Sequence, residues 1–236
     1  GLQYESELNS GHAGWDYYIQ NVNDPSSDST NLHPLFGDSI TYISSSGNQI
    51  FSAIGVDGLS YEISEDESLV LGFFILTAEY DKISNVQIRA GDGSSNFIWK
   101  FPVDDISPNC WNYLVCSTSN VNITGPSLSW GSTLSVFDVN VYQDGVSGLN
   151  SNASPSFYVS GPLLAATGSI DGWQPGVYTF HYTWLYDSTN KQESIPFQFS
   201  DINTGSEPDD VNKVCIVGDS VLLNFDAYIC PWTTPV

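Results

Sequence analysis

The sequence predicts an all-β protein of antiparallel sheets stacked face to face, and three observations carry that prediction. Leu69-Val70-Leu71-Gly72-Phe73-Phe74-Ile75-Leu76 is an apolar run of strand length. Asn85-Val86-Gln87-Ile88-Arg89-Ala90 alternates polar and apolar residues, so every second side chain falls on one face of a ribbon. Clusters of Gly, Asp, Ser and Pro separate such runs, and no segment carries the period of an amphipathic helix.

Taken in order, residues 1–32 are polar and turn-rich, with one strand-like island at Trp15-Asp16-Tyr17-Tyr18-Ile19. Strands are then expected at 39–44, 49–54, 59–63, 69–76, 85–90, 96–101, 111–116, 134–142 and 156–163. The breaks between them carry turn chemistry: Ser46-Gly47-Asn48, Asp57-Gly58, Gly91-Asp92-Gly93, Asp144-Gly145 and Asn150 to Pro155. Asp104-Asp105-Ile106-Ser107-Pro108 suits a short turn. Ala165-Ala166-Thr167-Gly168-Ser169 marks a boundary that divides the chain into 1–166 and 167–236. Beyond it, Tyr178, Phe180, Tyr182, Trp184 and Tyr186 alternate with Val177, Thr179, His181, Thr183 and Leu185, as in one long strand. A second strand over 193–200, an acidic loop over 201–212, and a hairpin of 213–217 with 221–228 complete the reading.

Composition narrows function. The 236 residues carry 27 acidic side chains against five basic ones, a formal charge of -22. Such a chain repels phosphate backbones, so nucleic acid is excluded as a partner, and anionic membrane surfaces are disfavoured. No apolar stretch approaches the ~20 residues that span a bilayer. Charged residues make up only 14%, so neutral polar side chains must coat the sheets, as on secreted and virion proteins. The absence of an initiator Met and of a signal peptide suggests a processed product or part of a longer polypeptide.

Residues 15–164 resemble the concanavalin-like jelly-roll modules of polysaccharide-active enzymes, laminin-G-type proteins and fibre proteins. The likeness lies in the succession Ile83-Ser84-Asn85-Val86-Gln87-Ile88-Arg89, then Ser94-Ser95-Asn96-Phe97-Ile98-Trp99, then Trp111-Asn112-Tyr113-Leu114. The resemblance implies a jelly-roll sandwich over 1–166. The Asp-Asp pair that serves a structural calcium in such modules is missing from Ser156-Phe157-Tyr158-Val159-Ser160-Gly161. Residues 170–236 resemble a fibronectin-III or immunoglobulin-like module, through Pro175-Gly176-Val177-Tyr178-Thr179-Phe180-His181-Tyr182-Thr183-Trp184 and Gln192-Glu193-Ser194-Ile195-Pro196. That stretch is short for the ~7 strands of such a fold, so the module is incomplete or borrows a strand.

Candidate sites follow from residue chemistry. Trp15, Tyr17, Trp130, Trp173 and Trp232 lie in or beside expected loops, where exposed rings could stack on sugars; the competing role for each is core filling. Asp24 with Asp28, and Asp104 with Asp105, could offer oxygen ligands to a structural calcium, without EF-hand spacing. No other cofactor is expected. Cys110, Cys116, Cys215 and Cys230 are disulfide candidates. Cys110 and Cys116 would stand about 20 Å apart on an extended strand, whereas Cys215 and Cys230 flank the expected hairpin. Asn122-Ile123-Thr124 and Asn152-Ala153-Ser154 are N-glycosylation sequons in expected loops. Nucleophilic triads, zinc knuckles and glycosidase signatures are absent from the sequence. The expectation is a non-enzymatic module of an extracellular, cell-surface or virion assembly, contacting other copies or neighbouring subunits. The alternative is a carbohydrate-binding module, alone or within a larger polysaccharide-active protein.

Overall fold

Two sheets hold most of the described strand residues in this computed structural model, which describes residues 3–4, 26–33, 37–43, 51–143, 155–167, 172–179, 181–182, 185–187, 192–193, 197–198 and 213–223. The strands are β1 (Gln3–Tyr4), β2 (Ser26–His33), β3 (Gly37–Ile43), β4 (Phe51–Val56), β5 (Glu67–Phe74), β6 (Ile83–Gly91), β7 (Asn96–Pro102), β8 (Trp111–Cys116) and β9 (Ile123–Thr124). They continue with β10 (Val136–Gln143), β11 (Ser156–Ala166), β12 (Gly176–Thr179), β13 (His181–Tyr182), β14 (Leu185–Asp187), β15 (Gln192–Glu193), β16 (Phe197–Gln198) and β17 (Lys213–Val217). A four-residue helix, α1 (Thr77–Tyr80), is the one α-helix among the described residues.

The larger sheet runs β12-β17-β8-β5-β11-β3-β2, with β1 paired to β11; the smaller runs β4-β10-β6-β7-β9. From β3 to β6, and again from β7 to β11, the chain crosses between sheets at all but one connection, the winding of a jelly-roll sandwich. The short pairs β13–β16 and β14–β15 stand apart from both sheets.

Period-two alternation puts the core between the sheets. Val86, Ile88 and Ala90 of β6, Phe97, Trp99 and Phe101 of β7, and Phe137, Val139 and Val141 of β10 point inward. They meet Leu69, Leu71 and Phe73 of β5, Leu114 and Cys116 of β8, and Phe157 and Val159 of β11. Phe73 and Phe157 stack with centroids 5.8 Å apart. The Trp99 indole N–H donates to the Ser117 carbonyl at 2.8 Å, so this buried ring keeps its one donor satisfied.

A second apolar layer lies on the opposite face of the larger sheet. Val70, Phe74, Trp111, Tyr113, Val115, Leu163, Val214 and Ile216 point there and are covered by Val221 and Leu223, with Trp173 and Tyr178 partly buried against them. Strands β5 and β8 are therefore buried on both faces, which is why their sequences are near-continuous apolar runs and not alternations.

That covering changes how the stretch beyond residue 166 is organised. Strand β17 pairs in parallel with β8, Val214 opposite Trp111 and Val217 opposite Leu114, and β12 pairs with β17. The expected boundary after Ala166 thus falls within one continuous sheet. The separate fibronectin-III or immunoglobulin-like sandwich expected over 167–236 is not what these two strands build. Lys213-Val214-Cys215-Ile216-Val217 is apolar on both faces and gains more by entering a buried sheet than by edging a small one. Asp219 fastens this junction: its carboxylate accepts the Ser117 and Ser119 hydroxyls, each at 2.5 Å, and the Ser220 N–H at 2.7 Å. Gly218 enters that turn at φ +98°, where an added Cβ would lie 2.6 Å from the Asn120 Nδ2 and 2.7 Å from the Phe101 ring.

Most expected strands recur with shifted ends. Residues 59–63 are corrected: only an isolated bridge, Tyr61 to Leu134, forms there. Of the long strand expected over 177–186, the described residues lie in β12, β13 and β14; residues 180, 183 and 184 lie outside the described residues. Of the return strand expected over 221–228, Val221 bridges Thr167 and Trp173, and residues 224–228 lie outside the described residues. Strand β2 was not legible, since Ser26-Ser27-Asp28-Ser29-Thr30-Asn31-Leu32-His33 is polar at almost every position. The island at 15–19 lies outside the described residues.

Candidate functional site

The inward residues of the smaller sheet leave its other face to the alternate positions, and these are polar to an unusual degree. On β6 they are Asn85, Gln87 and Arg89; on β10 they are Asp138, Asn140 and Tyr142; on β7 they include Ile98 and Lys100. The register sets them in rows. Asp138 stands opposite Arg89, Asn140 opposite Gln87, and Tyr142 opposite Asn85. Across the other edge of β6, Arg89 faces Ile98 and Gln87 faces Lys100. On the far side of β10, β4 places Gly55 beside Asp138, Ala53 beside Asn140 and Phe51 beside Tyr142. Three residues at every second position of a strand span about 13 Å, and adjacent strands add about 4.8 Å each. The result is a broad polar face with an aromatic end.

Its centre is an ion pair with amide neighbours. The Arg89 Nε–H donates to Asp138 Oδ1 at 2.6 Å, and the Asn140 amide donates to the same oxygen at 2.6 Å. The Asp138 side chain is 4% exposed while that of Arg89 is 30% exposed. Burial pushes the Asp138 carboxyl above the usual carboxylate range, and the Arg89 bond and charge offset part of that rise. Gln87 donates to Asn85 Oδ1 at 3.3 Å, and the Asn85 amide donates to Ser84 Oγ at 3.1 Å. Asn85, Asp138 and Asn140 are all buried, although they lie on the side of the sheet away from the core. A sheet needs no such row for stability: an exposed face is served as well by Ser and Thr, and a buried one by apolar residues. Chemically, the row offers amide donors and acceptors, a guanidinium fork and an ammonium on one surface.

The positions singled out from sequence are dispersed. The indole of Trp130 lies flat on Phe97, with centroids 4.3 Å apart and planes 8° apart, so Phe97 takes one face of the ring. Trp173 is partly buried, donates its indole N–H to the Leu223 carbonyl at 2.9 Å, and meets Tyr178 edge-on at 4.8 Å. Both are partly buried against the cores. Trp15, Tyr17 and Trp232 lie outside the described residues.

Asp28 sits on β2 opposite Ser39. Asp104 and Asp105 are exposed in a 3-10 turn, Val103–Asp105, and Asp24 lies outside the described residues. Among the described residues no three His, Cys, Asp or Glu side chains gather to hold a metal ion. Among the described cysteines, no disulfide joins Cys110, Cys116 and Cys215 to one another. All three are buried in the core between the sheets, where burial pushes the Cys116 and Cys215 thiols up. Cys230 lies outside the described residues. Asn122 is exposed at the outer edge of β7, and its Oδ1 accepts the Lys100 backbone N–H at 2.5 Å; Asn152 lies outside the described residues.

The sheet face escaped the sequence reading, although a signal for it exists. In Asn85-Val86-Gln87-Ile88-Arg89 and Asp138-Val139-Asn140-Val141-Tyr142 the outward positions hold large hydrogen-bonding groups, where an ordinary solvent face takes Ser, Thr or Lys.

No family model matches the sequence, and no curated protein matches it. Among solved structures, an exo-β-agarase is similar over 71% of this chain and 26% of its own, at 9% identity and a TM-score of 0.47. The chain thus spans about a quarter of the length of that enzyme. A family 11 carbohydrate-binding module from Clostridium thermocellum, in complex with a β-1,3-1,4-mixed-linked tetrasaccharide, is similar over 70% of this chain and 95% of its own, at 11% identity and a TM-score of 0.46. A family 29 carbohydrate-binding module complexed with cellulohexaose is similar over 69% and 89%, at 10% identity and a TM-score of 0.39. At these values the likeness is one of outline, and no residue is carried across.

Proposed function

We propose that this chain is a non-enzymatic glycan-binding module and that the outward face of the smaller sheet, β4-β10-β6-β7-β9, is its binding surface. The observation that carries the reading is a polar row on the side of the sheet away from the core, in which Gln87, Arg89 and Lys100 reach solvent and the buried Asn85, Asp138 and Asn140 hold them in register. Amides held in register by strand pairing can donate to and accept from the paired hydroxyls of a sugar ring, and a guanidinium beside them can donate. Tyr142, half-buried at the end of the row, adds a ring for an apolar sugar face. A glycan is a fitting ligand for a face that is broad and rich in fixed hydrogen-bonding groups. This reading follows the alternative set out from sequence and moves its site from loop tryptophans to a sheet.

The test is calorimetric titration of the whole chain with a panel of soluble polysaccharides. At least one should bind, and Gln87→Ala and Tyr142→Ala should each weaken it by about tenfold or more, whereas Trp130→Phe should not. Binding by no polysaccharide, or affinity unmoved by the face variants, overturns the proposal.

A second reading, contact with neighbouring copies in a surface assembly, draws on two exposed edge residues: Ile123 of β9 and Val177 of β12, each 55% exposed. Light scattering that shows a monomer at all attainable concentrations would reject it.

A further inference from the structure

We propose that the ligand of this face is an acidic glycan, bearing uronate carboxylates or sulfate esters, with Lys100 as the residue that selects for it. The inference rests on the glycan-binding reading and deepens it.

The argument begins with where the few positive charges stand. The chain has five basic residues among 236, against 27 acids, so almost any surface lysine should find a carboxylate beside it. Lys82 does, with its Nζ 2.7 Å from Glu79 Oε2. Arg89 does as well, on Asp138. Lys100 does not: it is exposed and has no ion-pair partner among the described residues. It stands on the candidate face directly across from Gln87, one strand pair removed from Arg89, so two of the five cations share one surface.

The charge count on that surface then decides the sign. Asp138 is its one carboxylate at the named outward positions, and Arg89 balances it within the face. What remains is the ammonium of Lys100, a positive point on an otherwise strongly negative molecule. Neutral sugars would use the amides and leave this charge unmatched. An acidic sugar ring set over Gln87 would bring its anionic group beside Lys100. The acids elsewhere on the chain oppose the approach, but at physiological ionic strength their field decays over about 8 Å, whereas contact with Lys100 is screened less.

The experiment titrates the full chain, at one physiological ionic strength, with a neutral mixed-linkage β-glucan, with alginate as the uronate and with a carrageenan as the sulfate ester. One or both acidic polymers should bind about tenfold tighter than the neutral one, as suits a single charge-assisted contact. Lys100→Gln should remove that preference, Lys100→Arg should keep it, and the remote Lys82→Gln should leave all three affinities unchanged. The two acidic arms separate carboxylate from sulfate ester as the preferred group. A neutral polymer bound as tightly as the acidic ones, or a preference that survives Lys100→Gln, overturns the selection while leaving the glycan-binding face standing. Failure of all three polymers to bind overturns both.

Discussion

Replacing Arg89 with Met should destabilise the fold strongly, and by an amount that grows with pH. The substitution keeps most of the side-chain length and removes the guanidinium that neutralises Asp138, whose side chain is 4% exposed. Stranding one member of a buried ion pair costs about 3–5 kcal/mol. For a chain of this size that lowers Tm by about 6–20 °C. The sign of the pH effect follows from the direction of the Asp138 shift. Burial already raises its folded-state pKa above the unfolded value, and Arg89 restrains that rise. Between the two values the folded state binds more protons than the unfolded one, so stability falls as pH rises through that window. Without Arg89 the folded-state pKa climbs further and the window widens upward. Urea unfolding of Arg89→Met should therefore show a small deficit near pH 4 and a large one near pH 7.5. Arg89→Met with Asp138→Asn should recover most of the loss, because the uncompensated charge is gone while the Asn140 amide keeps an oxygen to bond. An equal deficit at both pH values, or a double variant whose cost is the sum of the single ones, would refute the reasoning.

Two further outcomes test the frame around the site. Asp219→Asn should remove about 1 kcal/mol at neutral pH, because the hydroxyls of Ser117 and Ser119 lose a charged acceptor that is itself partly solvated. Burial opposes ionisation of Asp219, yet the Ser117, Ser119 and Ser220 bonds outweigh it and hold the carboxyl below the usual range. Its contribution should thus be complete above that range and disappear as pH falls through the folded-state value, so denaturant melts of the two proteins should converge in acid. Gly218→Ala should cost about 1–3 kcal/mol in the same melts, since its φ of +98° and the nearby Asn120, Phe101 and Val115 atoms leave no place for a methyl group.

How much was legible depended on whether local pattern and burial agreed. Strand β8 was read with its observed bounds, because Trp111-Asn112-Tyr113-Leu114-Val115-Cys116 is apolar almost throughout and bracketed by turns. Strand β6 was equally clear from its alternation. Strand β2 was not, because a polar edge segment draws its order from backbone pairing with β3, which leaves no trace in hydropathy. The clean alternation of 177–186 promised one long ribbon; its described parts pair with different partners, β12 with β17, β13 with β16 and β14 with β15, which no local pattern announces. For the site, aromatic loop residues drew attention because sugars stack on rings; Trp130 and Trp173 are partly buried, each packed by one side against a core cluster. The polar face was written in plain view on β6 and β10. What single-strand patterns could not supply was the register that lines Asp138 up with Arg89 and Asn140 with Gln87.

The parallel pairing of β17 with β8 joins residues about a hundred positions apart in the middle of a sheet. A nascent chain that has emerged only as far as β11 holds Val70, Trp111 and Val115 bare to water, awaiting a lid synthesised later. Folding of this protein is thereby bound to the arrival of β17 and the residues that follow it, and excising them should yield an adhesive, precipitating stump instead of a self-contained sandwich.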